Sequence, residues 1–268
     1  MSRLMAPERQ SDERRYGATI SKVPRVTLAF WVIKLLATTV GETGGDALSM
    51  TLGLGYALAS LIYVAFFAIT LTTQVASKRY RPFAYWAVVV ATTTVGTTVS
   101  DYLDRSVGLG YVKSSIMLFC GVLIVLFVWR RVTGRIEFER ITTKKEEVFY
   151  WVTILVSNTL GTALGDFVAS TTGLGFERGA LVFAGLLAIV GAAHFWLKKI
   201  PPSVLFWTAY VLTRPLGATL GDTLTKPHAE GGLEMGRILA SLTIAALMII
   251  GILLVSWKDR QRADSSAA

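Results

Sequence analysis

FWVIKLLATTVGETGGD, residues 30–46, decides the fold, because the chain writes this pattern four times. YWAVVVATTTVGTTVSD (85–101), YWVTILVSNTLGTALGD (150–166) and FWTAYVLTRPLGATLGD (206–222) are its other copies. Each opens on an aromatic–Trp pair (Trp31, Trp86, Trp151, Trp207), reaches a glycine ten residues later (Gly41, Gly96, Gly161, Gly217), and ends five residues further on an aspartate (Asp46, Asp101, Asp166, Asp222). The copies are 55, 65 and 56 residues apart at all three landmarks, a fixed register that marks an internal repeat. The first three then close on Leu52-Gly53-Leu54-Gly55-Tyr56, Val107-Gly108-Leu109-Gly110-Tyr111 and Thr172-Gly173-Leu174-Gly175-Phe176, while the fourth carries an insertion at Lys226-Pro227-His228.

Around this pattern the chain is 268 residues long, 53% hydrophobic and only 17% charged. Soluble domains carry about 25% charge, and about 20 apolar residues cross a bilayer as a helix. The fold class expected is therefore all-α: a polytopic membrane protein of eight transmembrane helices, arranged as four helix hairpins. The spans read 26–48, 56–76, 83–103, 111–130, 148–169, 177–197, 203–224 and 235–257. Residues 1–25 form a polar N-terminal segment, 26–257 the membrane domain with repeats at 26–77, 82–131, 147–197 and 202–257, and 258–268 a tail. Two spans per unit give successive units the same orientation, so they are parallel repeats about an axis along the membrane normal, a pseudo-fourfold internal repeat. Pro82, Pro201 and Pro202 stand at span starts, where proline costs little.

The net charge is +9, and 20 of the 27 Lys/Arg fall in the two ends and alternate loops. They include Arg3, Arg9, Arg14, Arg15, Lys78, Arg79, the run from Arg130 to Lys145, Lys198 and Lys258. The positive-inside rule puts both termini in the cytoplasm. This distribution accounts for the charge without nucleic acid. The first 25 residues lack the apolar core of a signal peptide, so the first span is read as an uncleaved anchor in a bacterial inner membrane. The single Cys120 is read as a small buried hydrophobe, and the four tryptophans as interface anchors at the cytoplasmic side.

Four tandem two-span units, each with its Trp and a Thr-x-Gly-x-x-x-x-Asp stretch, resemble a family of bacterial membrane proteins catalogued as a fourfold repeat of unknown function and often named only "membrane-anchored protein". The resemblance covers residues 28–257. It implies fold and membrane location and brings little function with it.

Small residues recur every fourth position: Ala37/Gly41/Gly45, Thr92/Gly96/Ser100, Ser157/Gly161/Gly165 and Thr213/Gly217/Gly221. Such stripes let helix backbones approach closely in lipid. The four aspartates stand about 30 Å up their helices at 1.5 Å per residue, so they read either as helix-end carboxylates facing external water or as a cation-attracting ring. Thr39 and Glu42, Thr94 and Thr97, and Thr159 and Thr162 share a helical face with the aspartate of their unit, and Asn158 joins this path. Two charges lie inside spans. Lys34 is read as snorkelling to the cytoplasmic side, and Arg214 as a counter-charge with Glu42 its first candidate partner.

One Cys and two His, His194 and His228, exclude a thiolate or imidazole metal cluster; the oxygen ligands present suit hard cations such as Mn²⁺, Mg²⁺, Na⁺ or K⁺. No phosphate-cradling, zinc-protease or nucleophile-elbow stretch is present, so no enzyme activity and no cofactor are expected. The function expected is gradient-driven transport of a small cation, a hard divalent metal such as manganese or a monovalent ion. The partners expected are the lipid bilayer, that cation, and possible further copies of the chain. Two alternatives stand beside it: a non-transporting membrane scaffold, and an organic-anion transporter using Arg214.

Overall fold

The computed structural model describes residues 22–77, 79–136, 141, 143–197 and 199–267. Most of the polar N-terminal segment, with Arg3, Arg9, Arg14 and Arg15, and also Lys78, Arg140 and Lys198, lie outside the described residues. The described chain is helical: α1 (Leu28–Asp46), α2 (Gly55–Ala76), α3 (Pro82–Asp101), α4 (Gly110–Thr133), α5 (Lys144–Asp166), α6 (Gly175–Trp196), α7 (Pro202–Thr225) and α8 (Arg237–Ala267).

Local sequence sets the ends. Thr27 Oγ1 accepts the Phe30 N–H at 3.3 Å to start α1, and Thr143 and Glu146 form a capping box at the start of α5. Proline occupies the first position of α3 and α7, as the sequence indicates. The first three units leave their aspartate through a π-helical turn, Ala47–Thr51, Tyr102–Ser106 and Phe167–Thr171. The chain then reverses at paired glycines with positive φ: Gly53 and Gly55, Gly108 and Gly110, Gly173 and Gly175. The fourth unit instead has a short 3₁₀ helix, His228–Glu230.

α1, α3, α5 and α7 pack in a closed inner ring, α1 on α3, α3 on α5, α5 on α7 and α7 on α1. Each second helix packs on the first helix of the following unit: α2 on α3, α4 on α5, α6 on α7, and α8 back on α1. The glycines explain the closeness. A Cβ on Gly41 would meet Thr93, on Gly96 the backbone of Asn158, on Gly161 Arg214, and on Gly217 Thr38, so each contact hands on to the next helix and the last returns to the first. Gly45 and Gly221 do the same against Thr97 and Glu42, and Gly165 against Ala218.

Six helices are long and apolar enough to cross a membrane: α2, α4, α6, α8 and, with their π turns, α3 and α5. Their outward faces carry bare Leu61, Ile69, Phe119, Ile124, Leu181, Ile189, Leu242 and Leu254. The chain is a multi-pass membrane protein. Cys120 lies exposed on α4, so the expectation of a buried thiol is corrected: the outer helices turn most of their surface outward.

Candidate functional site

The inner ring stacks equivalent residues in layers along its axis. At one end, the Trp end, eight aromatic rings close on one another. Phe30, Tyr85, Tyr150 and Phe206 each lie 5.2–5.3 Å edge-on to the Trp that follows them. Each also meets the Trp of a neighbouring unit: Phe30–Trp86, Tyr85–Trp151, Tyr150–Trp207 and Phe206–Trp31, at 5.5–5.8 Å. Trp86, Trp151 and Trp207 are buried, which corrects their reading as interface anchors; edge-to-face packing within the ring holds them inside the protein. The Tyr85 and Tyr150 hydroxyls meet at 2.6 Å.

One turn further, Lys34, Val89, Ile154 and Tyr210 form a layer with no solvent exposure. Lys34 does not snorkel. Its Nζ stands 4.0 Å from the centroid of the Tyr210 ring and has no hydrogen-bond partner among the described residues. The side chain leaves the face of α1 that meets α7 and is wholly buried there.

The next layers hold a charged centre. Arg214 is fully buried, and its Nη2 donates to Glu42 Oε2 at 2.9 Å, Thr97 Oγ1 at 2.7 Å and Thr162 Oγ1 at 2.6 Å. Thr97 donates in turn to Glu42 at 3.3 Å. Four residues, one from each unit, thus meet: Glu42, Thr97, Thr162 and Arg214. Arg214 Nε and Nη1 have no partner among the described residues. Thr39, Thr94 and Thr159 are not part of this cluster; each hydroxyl bonds a carbonyl of its own helix, Leu35, Val90 or Leu155. Asn158 donates to Thr92 at 3.0 Å.

At the opposite end the four aspartates are buried, which corrects their reading as solvent-facing helix ends. They stand as two bridged pairs. Lys226 Nζ lies 3.1 Å from Asp46 and 3.3 Å from Asp222. Arg105 reaches Asp101 at 3.3 Å and Asp166 at 3.7 Å. Arg237 adds a third cation at 3.5 Å from Asp46. No group of three or more His, Cys, Asp or Glu among the described residues is placed to hold a metal ion. Burial opposes the charge on Lys226, but Asp222 and Asp46 more than offset it and hold the ammonium well above the ordinary lysine range. The insertion of the fourth unit fixes this lysine: Leu233 and Met235 donate to the carbonyls of Thr223 and Leu224, and Glu234 to that of Lys226. Gly232 lies so close to the Lys226 carbonyl that no Cβ would fit.

Lys226, Arg105 and Arg237 are site residues that the sequence reading does not single out. The available signal was spacing: Arg105 follows Asp101, and Lys226 follows Asp222, by four residues on one helical face.

No curated protein and no solved structure matches the chain. A family model described as a repeat of unknown function, DUF347, matches residues 29–80, 84–135, 149–199 and 205–261, four units within a few residues of those read from the Trp-to-Asp register. The chain therefore belongs to the DUF347 repeat family.

Proposed function

We propose that the protein is a gradient-driven transporter of a small cation, with eight spans and pseudo-fourfold architecture, in the bacterial inner membrane with both termini cytoplasmic. α1 and α7 complete the eight: Lys34, Glu42 and Arg214 lower their apolar character, yet all three face the ring interior and none meets lipid. The cyclic glycine contacts support the fourfold arrangement. The bare leucines and isoleucines of the outer helices meet acyl chains.

The reading rests on one observation above all: a tethered ammonium, Lys226, lodged between two buried carboxylates of the first and last units, Asp46 and Asp222. The protein has built a cation site and filled it with its own side chain. Arg105 does the same for Asp101 and Asp166, and Arg214 for Glu42. A free cation that displaces Lys226 and then Arg214 moves inward by exchange of partners, with Thr97 and Thr162 supplying oxygen ligands. The aromatic belt closes the far end, so the cycle is that of a carrier with alternating access. No covalent chemistry is involved.

The test is the elemental content of cells lacking the protein, compared with cells re-expressing wild type, Asp46→Asn or Asp101→Asn at equal membrane levels under several metal loads. One element should shift, and wild type alone should restore it. No shift under any load would sink the cation reading. A second reading, transport of an organic anion, draws on the unpartnered Nε and Nη1 of Arg214. It requires Arg214→Lys to alter uptake of labelled carboxylates more than either Asp variant does.

A further inference from the structure

Lys34 is a buried amine that this exchange of partners leaves unused. Its Nζ is sealed from solvent, accepts no hydrogen-bond partner among the described residues and rests on a ring face. The groups around it are few. On its own helix the next ionisable residue is Glu42, two turns toward the Asp end. α7 presents Tyr210 at the contact and Arg214 one turn further, and Arg214 acts on Lys34 electrostatically. α3 contributes Tyr85, whose hydroxyl is held by Tyr150. α8 contributes apolar Met248 and Ile252 to the same core, and its Arg237 faces Asp46 at the other end.

Charge counting gives this arrangement a consequence. Glu42 and Arg214 cancel, so the centre is neutral when Lys34 is an uncharged amine. A cation that takes Glu42 from Arg214 adds positive charge, and so does a proton on Lys34. Both together place at least two uncompensated charges where water does not reach, which a low-dielectric interior strongly opposes. We infer that Lys34 carries the proton of a cation/proton exchanger, with substrate cation at Glu42 and proton at Lys34 excluding each other. This rests on the cation-transport reading and names its coupling ion.

The step is a simple transfer. In the cation-free state the Lys34 lone pair accepts a proton from solvent, forming an N–H bond. Arrival of the cation breaks that bond and returns the proton to solvent. Neither Lys34 Nζ, which lies over the Tyr210 ring, nor the Tyr210 hydroxyl has a hydrogen-bond partner among the described residues, so the proton moves when alternating access opens this layer to water.

Purified full-length protein in liposomes separates the two claims. Self-exchange of sodium, rubidium or manganese(II) tracer at equal pH on both sides requires cation transport and no proton coupling. Accumulation driven by a pH gradient requires both. Wild type should do both for one tracer, while Lys34→Met should keep self-exchange and lose the pH-driven accumulation to the level of empty liposomes. Retained pH-driven accumulation in Lys34→Met overturns the inference and leaves cation transport standing. Absence of self-exchange in wild type for all three tracers overturns the cation reading itself. Should Lys34→Met not fold, Lys34→Arg decides: its fixed charge should abolish self-exchange in a monodisperse protein, and self-exchange that persists refutes the exclusion.

Discussion

The inner ring has two opposite seams that share a plan and differ in what they bury. Along the α3/α5 seam, Val89 and Ile154 fill the layer where the α1/α7 seam holds Lys34 and Tyr210. One turn on, Thr93 and Asn158 stand where the other seam has Thr38 and Arg214, and Thr97 and Thr162 stand where it has Glu42 and Ala218. The elements that pack recur in all four units: the aromatic pairs, the glycine steps and the terminal aspartates. Between the aromatic belt and the aspartates, the charged groups Lys34, Glu42 and Arg214 are confined to the first and last units. Repetition builds the container because a closed ring demands the same close contact at every joint. Chemistry enters through departures from it, since a fourfold ring of arginines or lysines would repel itself. α1 and α7 are correspondingly the two ring helices that fall outside the apolar set.

The sharpest break of this comparison is Arg214→Met. It leaves Glu42 buried and unpaired, which should lower stability by about 3–5 kcal/mol. Asn158→Leu, the equivalent change on the other seam, loses one neutral hydrogen bond and should cost about 1 kcal/mol. Thermal unfolding in detergent measures both. The double variant Glu42→Gln/Arg214→Met should recover most of the loss; a double variant as unstable as the single would show that charge is not what distinguishes the seams.

The joints themselves should be equally intolerant on both seams. Gly96→Ala sets a Cβ 2.9 Å from the Asn158 backbone, and Gly217→Ala sets one 2.0 Å from Thr38 Oγ1. Each should cost about 1–3 kcal/mol by overpacking. Gly185→Ala on the outer helix α6 meets nothing within 4 Å, and should be neutral or gain about 0.5–1 kcal/mol from helix propensity. A tolerated Gly217→Ala would show that Thr38 can turn away and that the ring is looser than its contacts imply.

The repeat, the helical fold and the Glu42–Arg214 partnership were legible in the sequence for physical reasons. Packing imposes one residue type at one register, and two opposite charges inside spans have few other partners. The direction of Lys34 was not legible, because position along a helix fixes depth and says nothing about which neighbour a side chain meets. The tryptophans misled because the same residue that favours an interface also packs edge-on within a core. The basic partners of the aspartates were hidden by their place in short loops, although Asp101/Arg105 and Asp222/Lys226 already carried the four-residue spacing of helical ion pairs.

The outer bridges should differ in degree. The Lys226 side chain is 9% exposed and that of Arg105 32%, so Lys226→Met should cost about 2 kcal/mol and Arg105→Met less than about 1 kcal/mol, with added salt shrinking only the second. The folded state raises the pKa of Lys226, so its contribution is complete below the ordinary lysine value and fades only as pH climbs through the higher folded one. The Lys226→Met penalty should therefore be the same at about pH 6 and about pH 9, both below the unperturbed lysine pKa. A penalty that halves across this range would mean that Lys226 is not held charged by Asp46 and Asp222.

The smallest effect bears most finely on the two seams, because it removes one oxygen from each. Tyr85→Phe deletes the hydroxyl that meets Tyr150 at 2.6 Å, leaves its buried partner unsatisfied, and should cost about 1 kcal/mol. Tyr210→Phe deletes a hydroxyl with no hydrogen-bond partner among the described residues and keeps the ring under Lys34, so unfolding should be unchanged within about 0.5 kcal/mol. Equal losses for the two variants would mean that the Tyr210 hydroxyl is engaged on the axis beside Lys34. The α1/α7 seam would then hold an ordered polar partner at the level where the opposite seam is dry.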